Sequence, residues 1–310
     1  MTISHTIDAL TDNIGKVILG KRTAIELAVL SLICRGHLLI EDVPGLGKTM
    51  LARALARSLE MDTRRLQCTP DLLPSDITGV PVFNQKSGEF VFRPGPVFTN
   101  ILLADELNRA TPRAQSALLE CMEEYQVSVD VHTHALPPVF MVIATQNPIE
   151  IAGTYVLPEA QLDRFFIRMH IGYPNVEEEA QMMDAQSLSH PIEQLGAVAG
   201  LQDVLAAREA VRAVHVAPAV RHYMARISAA TRAHPDVRLG ASPRGSLALA
   251  RASQGMSLMR GDVFVAPHIV KQMAPHVLTH RLMLKPQALA KGQTPRKILD
   301  EILDITTPPV

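Results

Sequence analysis

Apolar residues along this chain fall into alternating registers. Before position 36, Ile25, Ala28, Val29, Leu32 and Ile33 recur at helical spacing, and Gly36 ends the run. Leu38-Leu39-Ile40 is a short all-apolar stretch, the pattern of a parallel strand buried on both faces. Four further segments predict strands: Thr63 to Thr69, Phe98 to Ala104, Val139 to Thr145 and Phe165 to Ile171. Helical patterns lie between several of them. Leu51, Leu55 and Leu59 share one face. So do Ala114, Leu118 and Met122, entered through Thr111 as N-cap with Pro112 at the first helical position. This alternation predicts a parallel α/β sheet over residues 1–172. Two period-two segments predict hairpins outside it: Val80 to Phe92, turning near Asn84–Gly88, and Val127 to His134 with Val127, Val129 and Val131 on one side.

After Gly172-Tyr173-Pro174-Asn175 the strand-like runs nearly vanish, and Ala, Arg, Met and Leu at helical spacing dominate. A boundary at about 173–176 therefore predicts an all-helical second domain over 173–310, broken at Pro191, Gly196, Pro218, Pro235, Pro243, Pro267 and Pro286. The 310 residues are enough for two self-sufficient cores. Charge changes the picture little. Lys+Arg is 30 and Asp+Glu 31, so the basic excess of a polyanion binder is absent. Aromatics are 4% with no Trp, which disfavours a stacking platform for single-stranded nucleic acid. Cys34, Cys68 and Cys121 lie far apart, outside any C-x-x-C pair, as in a reducing compartment. No apolar run approaches the ~20 residues of a membrane span. The N-terminus lacks a basic segment followed by an apolar one, so a cytoplasmic protein is expected.

The strongest chemical signal is Asp42-Val43-Pro44-Gly45-Leu46-Gly47-Lys48-Thr49, between a strand and a helix opening at Met50. Gly45 and Gly47 let backbone N–H groups turn inward around a phosphate, and the helix N-terminus adds a positive dipole end. Lys48 reaches β- and γ-phosphates, and Thr49 supplies a hydroxyl for Mg²⁺. Asp42 departs from the pattern G-x-x-x-x-G-K-[ST], which has Gly there. Ile101-Leu102-Leu103-Ala104 ends in Asp105-Glu106. C-terminal strand ends form the ligand crevice of a parallel sheet, so Asp105 is expected to hold Mg²⁺ and Glu106 to act as general base. The bland alternative is a solvated acidic turn. Asn147, in Thr145-Gln146-Asn147-Pro148, suits either a γ-phosphate contact or an Asn-Pro turn. Arg164 precedes the fifth strand and Arg244 enters a helix capped by Ser242. Each fits a surface ion pair as readily as a phosphate contact. Asp76-Ile77-Thr78-Gly79 matches a GTPase switch, but no N-K-x-D motif accompanies it, so it reads as a turn. His132/His134 and His276/His280 lack a third metal ligand and read as structural.

Taken in order, EDVPGLGKT, LLADELNRA, ATQNP, LPEAQLDRF and GASPR resemble the MoxR-type AAA+ ATPases, over about Val17 to Leu284. The resemblance implies a AAA+ P-loop core with a five-stranded parallel sheet, then a helical lid. It makes the two hairpins a helix-2 insert and a pre-sensor-1 hairpin. It accepts Asp42, it begins the adenine pocket at Val17 and Ile18, and it counts Pro44, Leu46 and Met50 with the loop among the nucleotide-binding residues. Asn147 becomes sensor 1, Arg164 an arginine finger acting in trans and Arg244 the sensor 2 arginine. Arg109 also matches the family pattern. Gly245 and Ala266 depart mildly from it. The implied cofactors are ATP and Mg²⁺, and the implied assembly is a homo-oligomeric, hexameric ring. The implied work is remodelling of a client protein, with a von Willebrand factor A-domain adaptor. The competing reading is a nucleic-acid-dependent AAA+ motor, which the near-neutral charge and scarce aromatics disfavour.

Overall fold

A computed structural model describes residues 3–129, 132–148, 153–185 and 191–309. Helices α1 (Ile3–Gly15) and α2 (Arg22–Ile33) precede strand β1 (Leu38–Glu41). Next come α3 (Lys48–Ser58), β2 (Thr63–Gln67) and the short α4 (Pro74–Thr78). A hairpin of β3 (Gly79–Asn84) and β4 (Glu89–Pro94) leads to β5 (Ile101–Asp105) and α5 (Pro112–Glu124). A second hairpin, β6 (Gln126–Val129) and β7 (His132–Ala135), precedes β8 (Met141–Gln146), α6 (Glu159–Leu162) and β9 (Ile167–Met169). Val131 lies outside the described residues.

Strands β2, β5, β8, β1 and β9 form one five-stranded parallel sheet in that order. Alternation sends side chains to two layers. Leu38 and Ile40 pack with α1, α2 and α3, while Leu39 packs with α5 on the opposite face. β2 is an edge strand in which only Leu66 is buried, and that accommodates Arg64 and Arg65. The third strand starts at Ile101, three residues later than its apolar pattern suggests. The Asn100 amide donates to the Val139 carbonyl at 2.8 Å and turns the chain into the sheet. Asp76 is no switch residue: its Oδ2 accepts the Leu73 N–H at 2.9 Å and caps α4. His134 stacks on Phe92 at 4.0 Å between centroids, so the two hairpins lean on each other.

The rest of the chain comprises α7 (Val176–Ala185), α8 (Leu201–Ala213), α9 (Pro218–Ala233), α10 (Pro243–Met259), α11 (Pro267–Leu278), α12 (Pro286–Ala290) and α13 (Pro295–Ile305). It is not purely helical. β10 (Val237–Leu239) and β11 (Met283–Leu284) make a small antiparallel ribbon, too short for period-two alternation to reveal. The expected caps form: Thr111 and Ser242 accept the N–H of Ala114 and Gly245. These helices share one apolar core with α1, α2 and the sheet. Contact is so close at Gly255 that a Cβ there would lie 2.5 Å from Cys34 Sγ and Leu30 Cδ1.

His37, at the start of β1, joins both layers. The Val142 N–H donates to Nδ1 at 2.9 Å, so Nε2 carries the proton and donates to the Met122 carbonyl at 3.0 Å. Burial holds the ring neutral and pushes its pKa from 6.5 down to about 4. Burial lowers His276 and His280 in the same direction. Folding therefore keeps its full advantage above about pH 6.5 and loses it as pH falls toward 4, where the unfolded chain binds the extra protons. The melting temperature should drop through that window, and His37→Gln should partly flatten the drop. An unaltered pH slope in the variant would dismiss His37 as the cause.

Candidate active site

The loop from β1 to α3 lies at the C-terminal edge of the sheet. Gly45 (φ 88°) and Gly47 (φ 81°) are left-handed, a conformation that side chains with a Cβ rarely adopt. Gly47 sits at the N-cap of α3 without a capping side chain, so the first helical N–H groups remain donors for an anion. Lys48 Nζ donates to the carbonyls of Asp42 at 2.6 Å and Val43 at 3.3 Å. Burial lowers the Lys48 pKa, and the charges of Asp42, Asp105 and Glu106 oppose that fall. The ammonium thus sits among three carboxylates.

Asp42 has a partner far along the chain. Its Oδ2 accepts the N–H of Ile171 at 2.5 Å and of Gly172 at 3.4 Å. This ties the loop to the segment leaving β9. Between them lies a cavity of about 400 Å³, within the range of small-molecule sites. Val17, Ile18, Pro44, Gly45, Leu46, Gly47 and Met50 line it. Lys48 and Thr49 follow directly at the start of α3. Tyr173, Pro174, Glu179 and Met182 complete the wall and escaped the sequence reading, since their stretch looks like a linker.

Asp105 ends β5, one strand away from β8. Thr145 Oγ1 on β8 donates to Asp105 Oδ1 at 2.6 Å and accepts the Glu106 N–H at 2.9 Å. One hydroxyl thus orients both carboxylate residues, and Glu106 takes the left-handed conformation (φ 56°). Arg65 Nη2 meets Asp105 Oδ2 at 2.6 Å. Gln67 Nε2 donates to Glu106 Oε2 at 3.0 Å, and Arg109 Nε lies 3.2 Å from the same oxygen. Asn147 is buried just past the end of β8. The donor set of the Thr49 hydroxyl and the Asp105 carboxylate consists of hard oxygens and fits Mg²⁺.

Arg164 and Arg244 are elsewhere. Both grip Glu123, at the end of α5: Arg164 Nε contacts Oε2 at 2.8 Å, and Arg244 Nη2 contacts Oε1. These hydrogen bonds, Arg164's foremost, lower the Glu123 pKa. Asp163 fixes both arginine-bearing segments, accepting from Ser242 Oγ at 2.9 Å and from the buried Arg281 Nε at 2.7 Å. This cluster lies at the N-terminal edge of the sheet, beside His37 and Phe166. The phosphate loop lies at the other edge. Glu123 and Arg281 carry no local motif and were invisible in the sequence, while Asp163 stood inside LPEAQLDRF with no role of its own.

Residues 37–167 match the ATPase family associated with various cellular activities (AAA), and residues 229–302 match an AAA lid domain. The chain is 48% identical to the YeaC protein of Bacillus subtilis over 96% of its own length and 93% of that protein's. It is 38% identical to Chaperone MoxR1 of Mycobacterium tuberculosis over 98% of its own length and 83% of the relative's. Protein MoxR of Paracoccus denitrificans is 31% identical, covering 87% of this chain and 86% of that one. A crystal structure from Cytophaga hutchinsonii, of a protein provisionally named an ATPase, superposes with a TM-score of 0.93 at 36% identity, covering 99% of this chain and 96% of that one.

Asp42→Ala should release Ile171 and Gly172 and loosen the cavity wall. Nucleotide affinity should fall by about tenfold, the scale of one charge-assisted hydrogen bond. Displacement of a fluorescent nucleotide measures this, with circular dichroism verifying the fold. Undiminished affinity would show that the tether does not shape the site.

Proposed function

Because the chain belongs to the MoxR family of AAA+ ATPases and hydrolyses ATP, we propose that its catalytic centre forms only between two protomers. Residues 1–172 then act as the nucleotide-binding core and 173–310 as the lid. The adenosine occupies the cavity of Val17, Ile18, Met50, Tyr173 and Met182. Backbone N–H groups of Gly45 to Thr49 and the Lys48 ammonium hold the phosphates. Thr49 and Asp105 would hold Mg²⁺, which would supply charge neutralisation on the phosphate oxygens. Glu106 takes the proton from the attacking water. Gln67 and Arg109 both bond Oε2, which leaves Oε1 as the acceptor. Asn147 orients the water or the γ-phosphate.

The carrying observation is the placement of Arg164 and Arg244 on one carboxylate, at the sheet edge opposite their own phosphate loop. Strand β1 alone separates those edges by about 13 Å. This placement supports a role for the arginines at a neighbour's γ-phosphate, with Glu123 holding both until then. Such residues contribute ~10³–10⁵ in rate in P-loop systems. Activity then requires oligomerisation, and a hexameric ring closes the set of contacts. The chaperone naming of the relative, together with the near-neutral charge of this chain, favours a protein client over nucleic acid. The adaptor would carry a von Willebrand factor A domain. Among the described residues, no helix is long and apolar enough to cross a membrane.

Glu106→Gln should bind ATP normally and lose turnover in a phosphate-release assay. Arg164→Ala and Arg244→Ala should likewise retain ATP and lose about 10³ in rate. The decisive measurement is mixing. Lys48→Ala and Arg164→Ala chains, each inactive alone, should recover hydrolysis together, because mixed interfaces pair an intact loop with an intact arginine. If mixtures stay inactive while both variants assemble, or if Arg164→Ala turns over at the native rate, the shared-site reading is wrong.

A further inference from the structure

A second cavity, of about 520 Å³, opens where the end of α2 meets α8 and α10. Arg35, Arg208, Arg212 and Arg251 line it, and among the described residues Glu209 is its only lining carboxylate. Glu209 pairs with Arg212 at 2.9 Å on the exposed side of α8. Among the described residues, no carboxylate pairs with Arg35, Arg208 or Arg251. Arg35 is steadied at the rim by the Tyr125 ring, 4.1 Å below its guanidinium.

Arg208 is the anchor of this cluster. Its side chain is packed away from solvent, the residue being 8% exposed. Nε donates to the Leu32 carbonyl at 3.2 Å and Nη1 to the Pro138 carbonyl at 2.9 Å. Nη2 is buried and, among the described residues, has no acceptor. A buried charged donor left unmatched is costly, and native structures rarely tolerate one without a ligand or ion. Burial pushes the Arg208 pKa down to about 10, and the like charges of Arg35 and Arg212 add to the fall. The negative end of α2 offsets only about half a unit charge, so most of the positive charge in this cavity stands uncompensated.

We infer that this cavity is a binding site for a phosphate-class oxyanion, held by Arg212 and Arg251 with Arg35 at its mouth and the buried charge of Arg208 behind them. Planar guanidinium forks match the paired oxygens of such a group. The site is distinct from the phosphate loop, since Arg35 precedes β1 and the loop follows it. It shares Arg35 and Arg251 with the face that carries Arg164 and Arg244. An anion bound here would therefore brace that face from behind, independently of the nucleotide.

The test titrates inorganic phosphate by calorimetry into the full-length chain saturated with Mg·ADP, at ionic strength held constant with chloride. Saturable binding is expected, weakened about tenfold or more by Arg212→Gln combined with Arg251→Gln. Neither side chain donates a hydrogen bond that holds the fold, and unchanged ADP affinity verifies folding of the double variant. Lys48→Ala without nucleotide should give the same phosphate response. The inference is overturned if the ADP-loaded chain shows no saturable binding at roughly millimolar phosphate. It is equally overturned if the double variant binds as tightly as the native chain, or if Lys48→Ala abolishes the response.

Discussion

A parallel sheet has two unlike ends, and this molecule uses the difference. At the C-terminal ends of β1, β5 and β8, the backbone leaves the sheet with donors and carboxylates converging. Lys48, Asp105, Glu106 and Asn147 all leave the sheet at this edge, although they are spread over a hundred residues of sequence. At the N-terminal ends the same strands begin beside Arg35, His37 and Arg164. No rotation of a side chain exchanges the two edges. Any chemistry needing both must bring a second copy alongside the first.

Inside one edge, a single hydroxyl sets the order. Thr145 donates to Asp105 and accepts from Glu106, so two adjacent carboxylate residues adopt different roles. Asp105 is drawn toward the sheet and neutralised by Arg65. Glu106, in a left-handed conformation, swings outward to Gln67 and Arg109. Two equivalent acids on a flexible turn would repel each other and share protons. Separate partners remove that ambiguity, as the proposed division into one oxygen ligand and one base requires.

Legibility in the sequence followed distance along the chain. The phosphate loop, the five strands and the helix caps were readable because their determinants lie within a few residues of one another. Asp42 was readable only as an irregularity, since its partners are Ile171 and Gly172. Glu123 and Arg281 were not readable at all, and Asp163 only as the neighbour of Arg164: their contacts join residues 41 to 121 positions apart. The β10–β11 ribbon was missed for a different reason, namely that strands of two and three residues are shorter than any alternation can register.

The N-terminal edge extends the same logic to charge. Glu123 offers one oxygen to each of two guanidinium groups, much as a terminal phosphate offers several. On the proposed reading, a γ-phosphate would offer both arginines more charge and more oxygens than Glu123 does, and so would take its place. The carboxylate also prevents the arginines from collapsing onto other acids or repelling each other while they wait. Asp163, held by Ser242 and Arg281, keeps the two segments in register during that exchange. On the proposed shared site, the edge is organised before a neighbour docks, and docking would replace one anion with another instead of building a site from loose parts.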